Sequence, residues 1–212
     1  MSQRAVIKYC FDRIVSQEKR PLFVGIAGDS GSGKSHYCDL LVKQFRKAKK
    51  DCLVINHDDF LIARNDREPM KTEFYEKGEF AGKSHWEVLE NMFRLNEFQR
   101  VIDELKSGIC SSYHPYSRGT GEVAIDNKEV RPSDFIFFDT SMMLHEMDFL
   151  ILIEVDQETI IKRKAKRDSD IRTPEEVEHM HRKVQGYYWE RQGPLKADII
   201  IDNNDVCSPK VL

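Results

Sequence analysis

"GDSGSGKS", residues 28–35, holds three glycines and three serines in eight positions, so it offers a core almost nothing to bury. It lies between two stretches that do. Upstream, "LFVGIA" (22–27) is a continuous apolar run of the kind that forms a strand buried on both faces of a parallel sheet. Downstream, "KSHYCDLLVKQFRKA" sets Tyr37, Leu40, Leu41 and Phe45 along one side of a helix. Strand, bare turn and helix follow one another, and Gly28, Gly33, Lys34 and Ser35 fit G-x-x-x-x-G-K-[ST]. Glycines let successive N–H groups turn into one hollow that suits phosphate oxygens, and the helix N-terminus adds partial positive charge. Gly28, Asp29, Ser30, Gly31, Ser32, Gly33, Lys34, Ser35 and the adjoining His36 are therefore expected to hold the phosphates of ATP. Lys34 is expected to reach the β- and γ-phosphates and act in catalysis, and Ser35 to complete the shell of a Mg2+ ion. A flexible Gly/Ser turn could match this spacing by chance, but a turn of that kind needs neither the strand before it nor the helix after it.

Bulk properties set the frame around this motif. The 212 residues suggest one domain with room for a sizeable core, and 40% apolar with 33% charged residues is ordinary for a globular protein. Acidic and basic residues nearly balance, 36 against 33, which argues against a general nucleic-acid binder or a membrane-surface protein. Cys10, Cys38, Cys52, Cys110 and Cys207 are scattered without metal-ligand spacing, as expected of reduced thiols in a cytoplasmic protein. The beginning, "MSQRAVIKYC", lacks the apolar stretch of a signal peptide, and no run reaches transmembrane length. Whether the chain forms a homo-oligomer stays open.

Four further strands are expected, near 52, 134, 149 and 197, alternating with helical stretches. The fold class is therefore α/β: a P-loop NTPase fold with a parallel sheet and helices on both faces. "CLVINHDD" ends a strand at the paired acids Asp58 and Asp59. Ligands of open α/β sheets bind beyond the carboxyl ends of strands, so an acid there suits proton abstraction from an acceptor hydroxyl or support of Mg2+. Neighbours in extended chain face opposite sides, so Asp58 is expected to face the chemistry and Asp59 to point away. His57 reads as a packing residue. "DFIFFD" (134–139) ends in Asp139, expected as a second Mg2+ support. After "FLILIEV" (149–155) comes a strongly basic segment with Arg163, Lys164, Lys166, Arg167 and Arg172. It reads either as a solvated face or as a helix–turn–helix lid over about 163–175 that brings guanidinium groups to phosphate.

Residues 62–132 interrupt the alternation. "WEVLENMFRLNEFQRVIDELKSG" (86–108) is expected to be helical, and "ICSSYHPYSRGTGEVAIDN" (109–127) to be a short strand and hairpin bending at Gly119 and Gly121. Tyr113, His114, Tyr116 and Arg118 cluster there. They suit an acceptor pocket, or else pack the hairpin onto its neighbours.

Taken together, "GDSGSGKS", "HDDFL", "YHPYSRGTGE" and "RKAKRD…R" resemble the phosphoribulokinase/uridine kinase family over about residues 20–205. The resemblance implies an ATP- and Mg2+-dependent kinase for a hydroxyl of a small metabolite. It implies Asp58 as catalytic base, Arg163, Arg167 and Arg172 as phosphate contacts, and Tyr113 as an acceptor contact, with Tyr116 and Arg118 beside it. This chain has Asp139-Thr140 where uridine kinases have Glu-Gly, "GKSHWE" (82–87) in place of an F-D-H-P stretch, and Arg118 where a hairpin histidine would read a pyrimidine. Uridine or cytidine is the default acceptor, and a sugar phosphate or a pantothenate-like molecule the alternative. A nucleotide-binding regulator without acceptor chemistry is the rival from another class.

Overall fold

β1 (Leu22–Gly28) is buried along its whole length and stands at the centre of the sheet. The structure is a computed structural model and describes residues 1–67, 91–140, 147–170, 173–182 and 196–212. β1 pairs in parallel with β5 (Phe135–Thr140) on one side and β6 (Phe149–Glu154) on the other. β2 (Cys52–Asn56) lies outside β5, and β7 (Ile199–Asp202) pairs in parallel with β6. Those five strands were expected. A short antiparallel edge strand, β8 (Lys210–Val211), was not.

The alternation of side chains explains why runs such as "FIFF" carry no polar residue. One face presents Val24, Ile26, Phe135, Phe137, Ile151, Ile153, Ile199 and Ile201. On it lie α1 (Gln3–Val15), through Val6, Cys10 and Ile14, and α2 (Lys34–Lys47), through Tyr37, Leu41 and Phe45. Phe45 meets Phe135 and Phe137 edge-on, with ring centres 4.8 and 5.0 Å away. The opposite face presents Phe23, Ala27, Phe138, Leu150 and Leu152, all buried.

The chain divides into two compact units, residues 1–55 with 133–212, and residues 56–132. The second holds a turn of 3-10 helix (His57–Phe60), α3 (Arg64–Arg67), α4 (Leu95–Lys106) and an antiparallel pair, β3 (Ser111–Tyr113) with β4 (Lys128–Val130). The expected helix over 86–108 is broken. Its part to residue 90 lies outside the described residues, and Phe93 then bridges to Leu61 before α4 begins. Helical periodicity does not reveal that break, because Arg94 sets it through tertiary partners. Its guanidinium donates to the carbonyls of Asp59 and His114 at 2.7 and 2.5 Å and pairs with Glu97. The hairpin is present, with Tyr116 bridging to Val123 across the turn.

Candidate functional site

In the sheet unit, residues 29–33 carry the chain from β1 to α2. Gly31 and Gly33 take φ of 94° and 98°, the left-handed region that side chains with a Cβ avoid. Space is equally restrictive. A Cβ at Gly28 would stand 2.6 Å from the Ile153 carbonyl oxygen, and one at Gly33 would stand 2.8 Å from Asn203 Nδ2. Both glycines of the G-x-x-x-x-G spacing are therefore required by contact as well as by conformation. Ser32 is wholly buried, and its Oγ has no hydrogen-bond partner among the described residues. A cradle from which side chains are excluded fits the triphosphate of ATP. His36 is turned to α1, with Nε2 2.8 Å from Gln3 Nε2.

Asp139 is buried near the end of β5, in register with Ile26. Burial pushes the Cys38 thiol up, and the Asp139 charge pushes it further, which puts this carboxylate within electrostatic reach of α2. Mg2+ keeps several waters and takes one or two carboxylates plus substrate phosphates, so Ser35 and Asp139 fit its donor set. Among the described residues no group of three or more His, Cys, Asp or Glu is arranged to hold a metal.

The basic segment forms α5 (Gln157–Arg167) and α6 (Pro174–Met180). Asp156 caps α5 by accepting from the Thr159 N–H at 2.8 Å, and Thr173 with Glu176 forms a capping box on α6. Two of the arginines expected at phosphate are engaged within the protein. Arg163 donates to the carbonyls of Asn203 and Asn204 at 2.7 and 3.0 Å. Arg167 forks onto buried Asp168 at 2.7 and 3.0 Å. Arg172 lies outside the described residues, as does the stretch 82–87. Among the described cations of this segment, Lys164 borders the cradle through its stem: its Cγ would be 3.0 Å from a Cβ on Gly31, and its Nζ is 3.5 Å from His181 Nδ1. Burial, reinforced by Lys164 and opposed by Asp29, lowers the pKa of His181 below its ordinary value.

In the second unit the two acids do not alternate as extended chain would have them. Residues 57–60 form a 3-10 turn capped by Asn56, whose Oδ1 accepts from the Asp58 N–H at 2.9 Å. The carboxylates nonetheless take different partners. Asp58 pairs with the exposed Arg118. Asp59 accepts from Tyr113 Oη and Lys128 Nζ, each at 2.9 Å. Tyr113 is fully buried against Phe60, and burial together with the Asp59 charge pushes its phenol strongly up. Tyr113, expected as an acceptor contact, offers no exposed surface and bonds Asp59 instead. Tyr116 is nearly buried and accepts from Arg67 at 2.5 Å, with that guanidinium 4.7 Å from its ring centre. His57 is buried and stacked on Phe93 at 4.1 Å, in keeping with a packing role.

Sequence reading missed Arg94, Lys128 and Asn203. None stands in a motif, and each acts through partners tens of residues away.

Residues 23–185 match the family model described as Phosphoribulokinase / Uridine kinase family. Uridine-cytidine kinase B of Dictyostelium discoideum is 26% identical over 172 residues, which is 76% of this chain and 64% of that protein. The chain spans less than two thirds of the length of the first curated relatives it matches. Among solved structures, a possible uridine kinase from Bacillus stearothermophilus aligns with a TM-score of 0.68 at 18% identity, covering 94% of this chain and 99% of that one. D-glycerate 3-kinase from Cryptococcus neoformans aligns with a TM-score of 0.65 at 15% identity, covering 98% and 97%. At such identities these structural likenesses are of fold.

Proposed function

Because this chain belongs to the phosphoribulokinase/uridine kinase family, we propose that it is a kinase that uses ATP and Mg2+ to phosphorylate a hydroxyl of a small metabolite, with uridine or cytidine as the first acceptor to try. The observation that carries this reading is the glycine cradle between β1 and α2, closed to any side chain at Gly28 and Gly33. In it the loop amides and Lys34 bind the phosphates, and Ser35 and Asp139 hold Mg2+. The ion, when bound, neutralises charge on the transferring group. In the second unit Asp58 takes the proton of the acceptor hydroxyl, and Asp59, tied to Tyr113 and Lys128, fixes the turn that carries it. Among the described cations of the basic segment, Lys164, whose stem borders Gly31, is better placed to serve the nucleotide than Arg163 or Arg167, which are engaged elsewhere.

One observation favours a second acceptor class. Arg118 stands on the hairpin and pairs with Asp58, and an arginine fork prefers a carboxylate or phosphate. An acceptor with an anionic group beside its hydroxyl would draw Arg118 off Asp58 and uncover the base. The shared fold of a D-glycerate 3-kinase agrees with a range of acceptors, since fold does not choose the substrate.

The test is ADP release with Mg-ATP and a panel holding uridine, cytidine, a sugar phosphate, pantothenate and a hydroxy acid. Turnover with a nucleoside supports the first acceptor class, and turnover with only the anionic members supports the second. Nucleotide binding without acceptor-dependent ADP release overturns the kinase reading in favour of a nucleotide-binding regulator.

A further inference from the structure

Asn203 follows β7, sits outside every motif, and is buried. All of its polar groups are engaged. Its N–H donates to the Glu154 carbonyl at 2.9 Å, and its own carbonyl accepts from Arg163 at 2.7 Å. Its side-chain Nδ2 donates to the Ser32 carbonyl at 2.7 Å, and Oδ1 accepts from Tyr37 Oη at 3.2 Å. One residue thus joins the end of β6, the first turn of α2, the basic helix α5 and the cradle.

We infer that Asn203 is a positioning residue for nucleotide binding, which sets the cradle by holding the Ser32–Gly33 peptide, with Arg163 acting through it. The inference rests on the cradle being a nucleotide site. The peptide unit is planar and trans, so its C=O and N–H point in opposite directions. With the Ser32 carbonyl held on Asn203, the Gly33 N–H is turned to the other side, where it can meet a ligand. The side chain must be an amide. Ser32 O only accepts and needs a donor, while the Tyr37 hydroxyl needs an acceptor for its proton, and asparagine supplies one of each. Aspartate has the same shape but would set an oxygen against the Ser32 carbonyl, and leucine would leave both partners unpaired. Nδ2 also stands only 2.8 Å from where a Cβ on residue 33 would lie, so the motif glycine and Asn203 are matched to each other.

Arg163 then has a role other than phosphate contact. Its bonds to the Asn203 and Asn204 carbonyls hold the segment that places the amide. Removing it should loosen the cradle only while Asn203 is there to transmit the change.

The test measures calorimetric affinity for a non-hydrolysable ATP analogue with Mg2+, at a temperature well below unfolding, for the wild type, Asn203→Asp, Arg163→Ala and the double variant. Loss of one buried hydrogen bond and its replacement by repulsion predicts at least about tenfold weaker binding for Asn203→Asp. Arg163→Ala should weaken binding less, and add little in the double variant, because both changes act on one element. Wild-type affinity in folded Asn203→Asp, even with a lowered unfolding midpoint, would reduce Asn203 to a structural residue and overturn the inference. Additive losses would return Arg163 to direct phosphate contact and overturn its part. Failure of the wild type to bind the analogue would instead overturn the nucleotide reading beneath it. If Asn203→Asp does not fold, Tyr37→Phe removes only the hydroxyl that orients the amide. It should then weaken binding by about threefold, and unchanged binding there counts against the proposal.

Discussion

The two units handle charge in contrasting ways. In the sheet unit the candidate ligand site is made of backbone, shaped by glycines that a Cβ would obstruct, and braced from beneath by a neutral amide. In the unit of residues 56–132 the candidate site is made of side chains that already have partners. Asp58 is paired with Arg118, and Asp59 with Lys128 and Tyr113. A backbone cradle is fixed by folding and binds whatever carries phosphate. An exposed ion pair is worth little, so a ligand can exchange it, and its members decide which ligand does. On the proposed reading, generic chemistry sits in the glycine cradle, and selectivity among side chains whose partners can change.

The strongest test of that division is Lys34→Ala. On the proposed reading the lysine serves phosphate, and it lies at the start of α2 rather than in the core, so turnover should vanish while the thermal midpoint stays near that of the wild type. A folded Lys34→Ala protein with full turnover would remove the cradle from the reaction altogether.

Next come the two acids, which the structure separates by partner rather than by direction. Asp58→Asn should leave affinity for an ATP analogue intact and lower kcat by about 10² to 10⁴, the usual cost of losing a general base. Asp59→Asn should act on folding. It weakens two bonds, one to Tyr113 that is partly buried and one to Lys128 that is exposed, so the unfolding midpoint should fall. Equal, small effects of both substitutions on kcat, with no change in stability, would break the distinction.

Gly33→Ala sharpens the other side of the comparison. The new Cβ meets Asn203 Nδ2 at 2.8 Å in a left-handed backbone, so a cost of about 1–3 kcal/mol is expected, together with weaker nucleotide binding. Gly119→Ala, on the hairpin, meets nothing nearer than 3.9 Å and should leave nucleotide affinity unchanged.

The sheet was legible because its signals are local. Apolar runs gave five strands within a residue or two of their observed ends, and the cradle has a fixed spacing. The second unit was less so. The 3-10 turn at 57–60 depends on Asn56 as a cap, a short polar residue that also fits a plain strand end. The break before α4 depends on Arg94 reaching carbonyls 20 and 35 residues away. Counting cations in the basic segment did not reveal which partner each one takes. Arg163 faces the loop after β7, Arg167 turns back on Asp168, and Lys164 borders the cradle. These differences follow from helical phase and from partners elsewhere in the chain.

The smallest expected effect concerns His181, which lies beside the cradle's flank. Burial lowers its pKa from the ordinary 6.5, Lys164 and Arg182 lower it further, and Asp29 opposes them. The folded state therefore prefers neutral imidazole, while the unfolded chain takes up a proton near its ordinary value. Stability from this group is complete above about pH 6.5 and declines as pH falls below it, until the folded protein is protonated as well. Protonation would also set an imidazolium against the Lys164 ammonium, on the helix that borders Gly31. Between pH 7.5 and 5.5 the thermal midpoint should fall more in the wild type than in His181→Gln, and nucleotide affinity should follow in the same sense. In the second unit, folded on paired acids, Asp59→Asn should leave this wild-type pH slope as it is. An identical slope in His181→Gln would show that the flank of the cradle does not sense pH through this imidazole.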